Sequence, residues 1–221
     1  MDKIFIEARY KGASDISADE IKKLPDKVAI FSSIQYLDSL KKLKHKIETE
    51  GKSCVLPKAK NATYPGQVLG CSINRLSQDV EAFIYVGDGM FHPKALAIRN
   101  EQPVFILKPG EAKLTRLGDE EATKYRKAED IAKKKFYAAD TIGIIVSTKP
   151  GQERIEDALA LKGRLEKRCY ILACDEVSRE ALENFPFIDC FVNTACPRLF
   201  FDLCEKSPVI DITHPIFSEE D

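Results

Sequence analysis

The sequence predicts the α/β class: two tandem homologous domains, each a small, mainly parallel sheet flanked by helices. Three observations predict it. Short continuous apolar runs, Val28-Ala29-Ile30-Phe31 and Ile142-Gly143-Ile144-Ile145-Val146, end in Ser-Ser or Ser-Thr. An amphipathic stretch follows each run; in the first, Leu37, Leu40, Leu43 and Ile47 recur at spacings of three and four. The whole unit then occurs twice, from Val28 to Leu56 and from Ile142 to Leu172. Continuous apolar strands alternating with amphipathic helices are the pattern of a parallel sheet covered on both faces.

Taken in order, residues 1–25 read as an N-terminal arm or linker. Residues 26–115 form the first α/β domain, with strands at Val28, Ser53–Leu56, Ala82–Val86 and Val104–Leu107 and a further helix over Lys94–Asn100. The charged stretch "LTRLGDEEATKYRKAEDIAKKKFYAAD" supplies a connecting helix over 116–137. Residues 138–221 form the second domain. Its strands are expected at Ile142, Cys169–Leu172 and Ile188–Asn193, and its helix presents Ile155, Leu159, Leu161 and Leu165. In open α/β sheets, ligands sit beyond the carboxyl ends of the strands. The chemistry is therefore expected in four loops: Ser32–Gln35, Gly87–Gly89, Ser147–Gln152 and Thr194–Arg198.

Composition narrows the function classes. The 221 residues are 44% hydrophobic and 31% charged with a formal charge of −1, an ordinary globular balance with no global basic field. Lysine runs such as Lys133-Lys134-Lys135 read as solvated helix faces, so no direct nucleic-acid partner is expected. The amino terminus lacks the apolar core of a signal peptide, and no apolar stretch approaches the ~20 residues of a membrane span. A cytoplasmic location without membrane association is the expectation. Seven cysteines, an odd number, then read as core residues, metal ligands or catalysts. Cys54, Cys169, Cys174 and Cys190 lie in or beside apolar runs and read as small core hydrophobes. Cys204, after Phe200-Phe201-Asp202-Leu203, fits either a ligand or a structural role, with the structural one preferred. No Cys-x-x-Cys, P-loop or Gly-x-Gly-x-x-Gly occurs, so a zinc ribbon, ATP and NAD have no support.

Two cysteines stand apart. Cys196 lies just past a strand end, where Pro197 restricts the turn and Arg198 offers a planar fork to a carboxylate or phosphate. The alternative is a buried cysteine before a proline loop exit. Cys71 ends Gly66-Gln67-Val68-Leu69-Gly70, whose glycines permit close backbone approach, or which is a Pro-Gly turn entering an ordinary strand. His92, in "GDGMFHP", either meets a ligand or caps the next helix. Lys149-Pro150-Gly151-Gln152 joins a strand to a helix whose N-terminal N–H groups suit an anion.

With "PGQVLGC" (65–71), "GDGMFHP" (87–93), "GIIVSTKPGQ" (143–152) and "FPFIDCFVNTACPRL" (185–199) assembled, the chain resembles the diphthamide synthase family, 2-(3-amino-3-carboxypropyl)histidine synthase. The resemblance runs in the family's order across most of residues 28–210. It implies a 4Fe-4S cluster shared among three tandem α/β domains, each supplying one cysteine. It further implies cleavage of S-adenosylmethionine and transfer of its 3-amino-3-carboxypropyl group to a histidine of translation elongation factor 2. Cys71 and Cys196 become the expected cluster ligands. Gly151, Gln152, Arg198 and His92 become expected contacts to S-adenosylmethionine, with Arg198 the partner of its carboxylate and a catalytic candidate.

Residues 1–25 resemble only the linker before the family's middle domain, so the family's first domain and its cysteine are expected to be missing. A homodimer, or a related chain that supplies that domain, is the implied partner besides elongation factor 2. The alternative is a non-catalytic, cluster-free subunit that docks onto a diphthamide synthase complex.

Overall fold

The computed structural model describes residues 6–12, 14–59, 62–69, 79–149, 152–204 and 207–217. Two compact units divide the chain, residues 1–122 and 123–221.

In the first unit, α1 (Ala18–Lys22) starts at Ser17, whose hydroxyl accepts the Glu20 N–H at 3.3 Å and caps the helix. Strand β1 (Lys27–Ser32) is buried from Val28 onward. A 3-10 turn leads into α2 (Leu37–Thr49), which buries Leu37, Leu40, Leu43 and Ile47, the stripe that the spacing predicts. Strands β2 (Ser53–Val55) and β3 (Ala82–Val86) follow, then α3 (Phe91–Arg99) and β4 (Val104–Leu107). Leu114–Arg116, which the sequence reading joined to the charged helical stretch, is a short strand, β5, antiparallel to β4. Gly118 stands between it and α4 (Asp119–Ala138). The buried Glu20 carboxylate accepts the Leu114 N–H at 3.1 Å, which anchors β5 from the other end of the unit.

The second unit holds β6 (Thr141–Ser147), α5 (Ile155–Arg164), β7 (Arg168–Cys174), α6 (Arg179–Glu183), β8 (Cys190–Asn193), α7 (Arg198–Leu203) and β9 (Val209–Asp211). All seven residues of β6 are buried. Its Gly143 is needed for packing: a Cβ there would lie 2.8 Å from both Ile188 Cδ1 and Phe191 Cδ1. The inner face of α5 differs from the expected one. Ala158 and Leu161 are buried and Leu165 packs behind them, whereas Ile155 is 37% and Leu159 55% exposed. Residues 159 and 161 are two apart, about 200° around a helix, so they cannot share a face.

Strand order is β2-β1-β3-β4-β5 in the first sheet and β7-β6-β8-β9 in the second. Every pair is parallel except β4 with β5. The α/β class and mainly parallel sheets are therefore as predicted. In each sheet the chain starts in the interior, steps out to one side and returns to the other. The topological switch points fall between β1 and β3 and between β6 and β8, where a doubly wound sheet opens a crevice at its carboxyl edge.

Candidate functional site

At the first switch point, the loop after β1 and the turn after β3 meet through side chains. The Tyr36 hydroxyl donates to Asp88 Oδ2 at 2.8 Å. Tyr85, the penultimate residue of β3, places its hydroxyl 3.2 Å from His92 Nδ1, and the two rings stack with centroids 5.5 Å apart. Burial pushes both phenols up to about 12, with the Asp88 carboxylate adding to the effect at Tyr36. Burial also lowers the imidazolium pKa of His92, which favours the neutral ring. His92 is thus the second residue of α3, packed on a tyrosine, rather than its cap. Gly87, at φ +152°, has no room for a side chain: a Cβ would lie 2.8 Å from the Tyr85 hydroxyl.

The segment that leads to Cys71 is laid along the end of β1. Ser32 N–H donates to Gly66 O at 2.8 Å and Val68 N–H to Ser32 O at 2.9 Å. Gln67 is buried, and its Oε1 accepts the N–H groups of Thr63 and Tyr64 at 2.9 and 3.1 Å. The glutamine of "PGQVLGC" therefore shapes this turn. Cys71 itself lies outside the described residues, as does Gly151.

At the second switch point, Cys196 sits in the loop between β8 and α7, half-buried. Its backbone is clamped from below. Asn193, wholly buried, donates from Nδ2 to Cys196 O at 3.0 Å and to Asp211 Oδ2 at 2.9 Å, while its Oδ1 accepts the Ala195 N–H at 3.1 Å. Thr194 donates its hydroxyl back to Ile145 O at 2.7 Å, tying the loop to β6. Pro197 caps α7, and Arg198 follows with its side chain 67% exposed and, among the described residues, a 3.8 Å pairing to Asp202. On the other side of the switch point, Thr148 N–H donates to Cys174 O at 3.0 Å and its hydroxyl donates to Asp175. Gln152 is exposed in the turn beyond, its N–H on Lys149 O at 3.0 Å.

Four thiols belong to the packed interior rather than to a loop. Cys54 and Cys190 are buried, and burial pushes each up to about 12, so neither suits a ligand. Cys169 and Cys174 pack against the apolar clusters beneath β7, and burial raises both. Among the described residues, no group of three His, Cys, Asp or Glu could hold a metal ion.

The family model for diphthamide synthesis proteins matches residues 1–212. The chain belongs to the diphthamide synthesis protein family. Among similar proteins, the 2-(3-amino-3-carboxypropyl)histidine synthase of Pyrococcus horikoshii is 32% identical over 187 residues, covering 83% of this chain and 54% of its own. Subunit 1 of that synthase from Encephalitozoon cuniculi is 31% identical over 206 residues, covering 90% of this chain and 57% of its own. The crystal structure of Dph2 from Pyrococcus horikoshii with a 4Fe-4S cluster superposes at a TM-score of 0.69, with 28% identity, over 87% of this chain and 57% of that one. The chain spans about half the length of the curated relatives it matches.

Several residues that build the two loops in this family member escape sequence reading. Tyr36, Tyr85 and Asn193 hide inside apolar runs or at their ends, and Asp211 lies in a short apolar stretch near the carboxyl end. The one available signal was the acid closing Val209-Ile210-Asp211, a strand-like run that ends where a ligand edge would be.

Proposed function

We propose that this diphthamide synthesis protein acts in the first step of diphthamide biosynthesis. As enzyme or enzyme subunit, it transfers the 3-amino-3-carboxypropyl group of S-adenosylmethionine to a histidine of translation elongation factor 2. The observation that carries this reading is the half-buried Cys196 thiol on a clamped loop at the carboxyl edge of a parallel sheet. A ligand for a metal cluster needs that combination of access and fixed backbone. The fit is partial within the described residues, because Cys196 stands there without two companions. Cys71 is proposed as a second ligand. The rest of the ligand set comes from outside the described residues, from further chain, a second copy or a related chain.

When bound, a 4Fe-4S cluster supplies the electron that cleaves the sulfonium C–S bond. The chain's own residues bind and position. Arg198, exposed and loosely paired, has its guanidinium fork available for the substrate carboxylate. Gln152, in the turn beyond β6, and its sequence neighbour Gly151 are proposed to contact the same substrate. His92, neutral and held on Tyr85, is proposed as a hydrogen-bonding contact at the first sheet.

The test is anaerobic reconstitution with iron and sulfide, followed by iron analysis and EPR on the wild type, Cys71→Ala and Cys196→Ala. About four irons per assembled site, lost in both variants, is the expected outcome. No iron in any preparation would overturn the enzyme reading and leave a cluster-free docking subunit.

A further inference from the structure

Among the described residues, the two sheets end in the edge strands β2, β5, β7 and β9. A free edge invites unwanted pairing, and proteins commonly keep such strands short or place charges on them. Strands β2, β5 and β9 follow that rule with three residues each. Strand β7 does not. It has seven residues, and its interior, Cys169-Tyr170-Ile171-Leu172-Ala173, holds no charge, proline or glycine. The direction of its free groups follows from its bonds. Arg168 N–H donates to Asp140 O at 3.0 Å, and Cys174 O accepts the Thr148 N–H at 3.0 Å, both toward β6. Backbone groups alternate sides along a strand, so the N–H and C=O groups of Cys169, Ile171 and Ala173 point away from β6. Exposed apolar surface lies beside this edge: Tyr170 is 41% and Phe187 53% exposed, with ring centroids 5.3 Å apart. The two ends of the strand carry opposite charges, Lys167 and Arg168 at its start and Asp175 and Glu176 just past its end. No side-chain hydrogen bond or ion pair of Arg168 or Glu176 is found among the described residues.

We propose that β7 is a pairing edge for a second copy of this chain, whose own β7 lies antiparallel to it across a two-fold axis at Ile171. Ile171 is the midpoint of the strand, so this register engages its whole length. Ile171 meets Ile171, Cys169 meets Ala173, and Tyr170 meets Leu172. The outward backbone groups then fall into hydrogen-bonded pairs, and Tyr170 with Leu172 into the closer, non-hydrogen-bonded kind. Charge selects both the occupant and its direction. Antiparallel pairing sets Lys167 and Arg168 of one copy beside Asp175 and Glu176 of the other, with Arg168 diagonal to Glu176. Parallel pairing would bring like charges together. The contact is isologous, so it closes at two copies and uses up both edges. The inference rests on the second unit alone and not on the transfer reaction.

The experiment is sedimentation velocity of the full chain, without iron, from micromolar to submillimolar concentration, with amide hydrogen exchange read along β7. The expected result is a dimer in which the amides of Cys169, Ile171 and Ala173 are protected. Ala173→Pro, at an exposed position, removes one outward N–H per copy and no bond to β6. It should weaken the dimer at least about tenfold and free the Cys169 and Ile171 amides to exchange. Arg168→Glu should weaken the dimer about fivefold, and adding Glu176→Arg to it should restore the wild-type affinity. Thermal melts confirm that each variant folds, and the exposed Arg168→Glu carries the test if Ala173→Pro does not. A monomer at every concentration would overturn the proposal. So would aggregates of no fixed size, or a dimer indifferent to all of these changes. A loss in Arg168→Glu that Glu176→Arg fails to restore would assign the edge to a strand of a different chain, and the second-copy assignment would fall. Because no readout uses iron or S-adenosylmethionine, failure here is separable from failure of the cluster test.

Discussion

The turn after β3 and the turn after β8 occupy the same place in two sheets of like topology, but their polar groups are arranged oppositely. After β3, the carboxylate of Asp88 lies outside and the group that holds it, the Tyr36 hydroxyl, is buried. After β8, the carboxylate of Asp211 is inside, bonded to the amide of Asn193 and to Thr213, and a thiol and a guanidinium lie outside. In both cases a hydrogen bond from a buried side chain, Tyr36 or Asn193, holds the turn, and the residues on the outer side are left for chemistry. Their identities differ because nothing in the packing of the sheet constrains them.

Thiol reactivity should separate the two kinds of position most sharply. Alkylation followed by site-resolved mass spectrometry should modify Cys196 on the order of a thousandfold faster than Cys190, whose buried thiol reacts only on opening. Comparable rates at the two sites would mean that the β8 turn is not the exposed edge it is taken to be. A stability comparison comes next. Asp211→Ala removes the carboxylate that accepts from the buried Asn193 amide and from Thr213 and should cost about 3 kcal/mol in urea unfolding, while Asp88→Ala should cost about 1 kcal/mol. Similar costs for the two would erase the distinction between an internal and an external carboxylate.

A third difference is the pH dependence of the first turn. Tyr36 and Tyr85 are raised to about 12 in the fold, against about 10 in the unfolded chain. Between these values the unfolded chain releases protons that the folded state retains. Their contribution is therefore complete below pH about 10 and is lost as pH rises toward 12. Tyr36→Phe and Tyr85→Phe should each flatten the alkaline limb of a stability profile measured by urea unfolding. A slope unchanged in both would show that neither phenol is buried as described.

Much of this was legible in the sequence. The continuous apolar runs at Val28, Ala82, Val104, Ile142 and Cys190 are strands, and the leucine stripe from Leu37 to Ile47 is an inner helix face. The loop that carries Cys196 was placed at a strand's carboxyl end, where the structure has it. The stripe assigned to α5 was not legible, because Leu159 and Leu161 compete for one face and the small Ala158 takes the buried position instead. The short β5 was hidden by the charged helix that follows it.

The sequence by itself determined that this chain would form covered parallel sheets, because runs apolar on both faces have nowhere else to go. It also determined which loops would stand at the ligand edge, since those loops follow the runs. Only the tertiary structure decided which polar groups would meet there. Tyr36 reaches Asp88 across 52 residues because β1 and β3 are neighbours. Asn193 reaches Asp211 across 18 because β8 and β9 are neighbours. Strand order is set by how helices and sheet pack together, a property of the whole chain, and no local pattern in the sequence carries it.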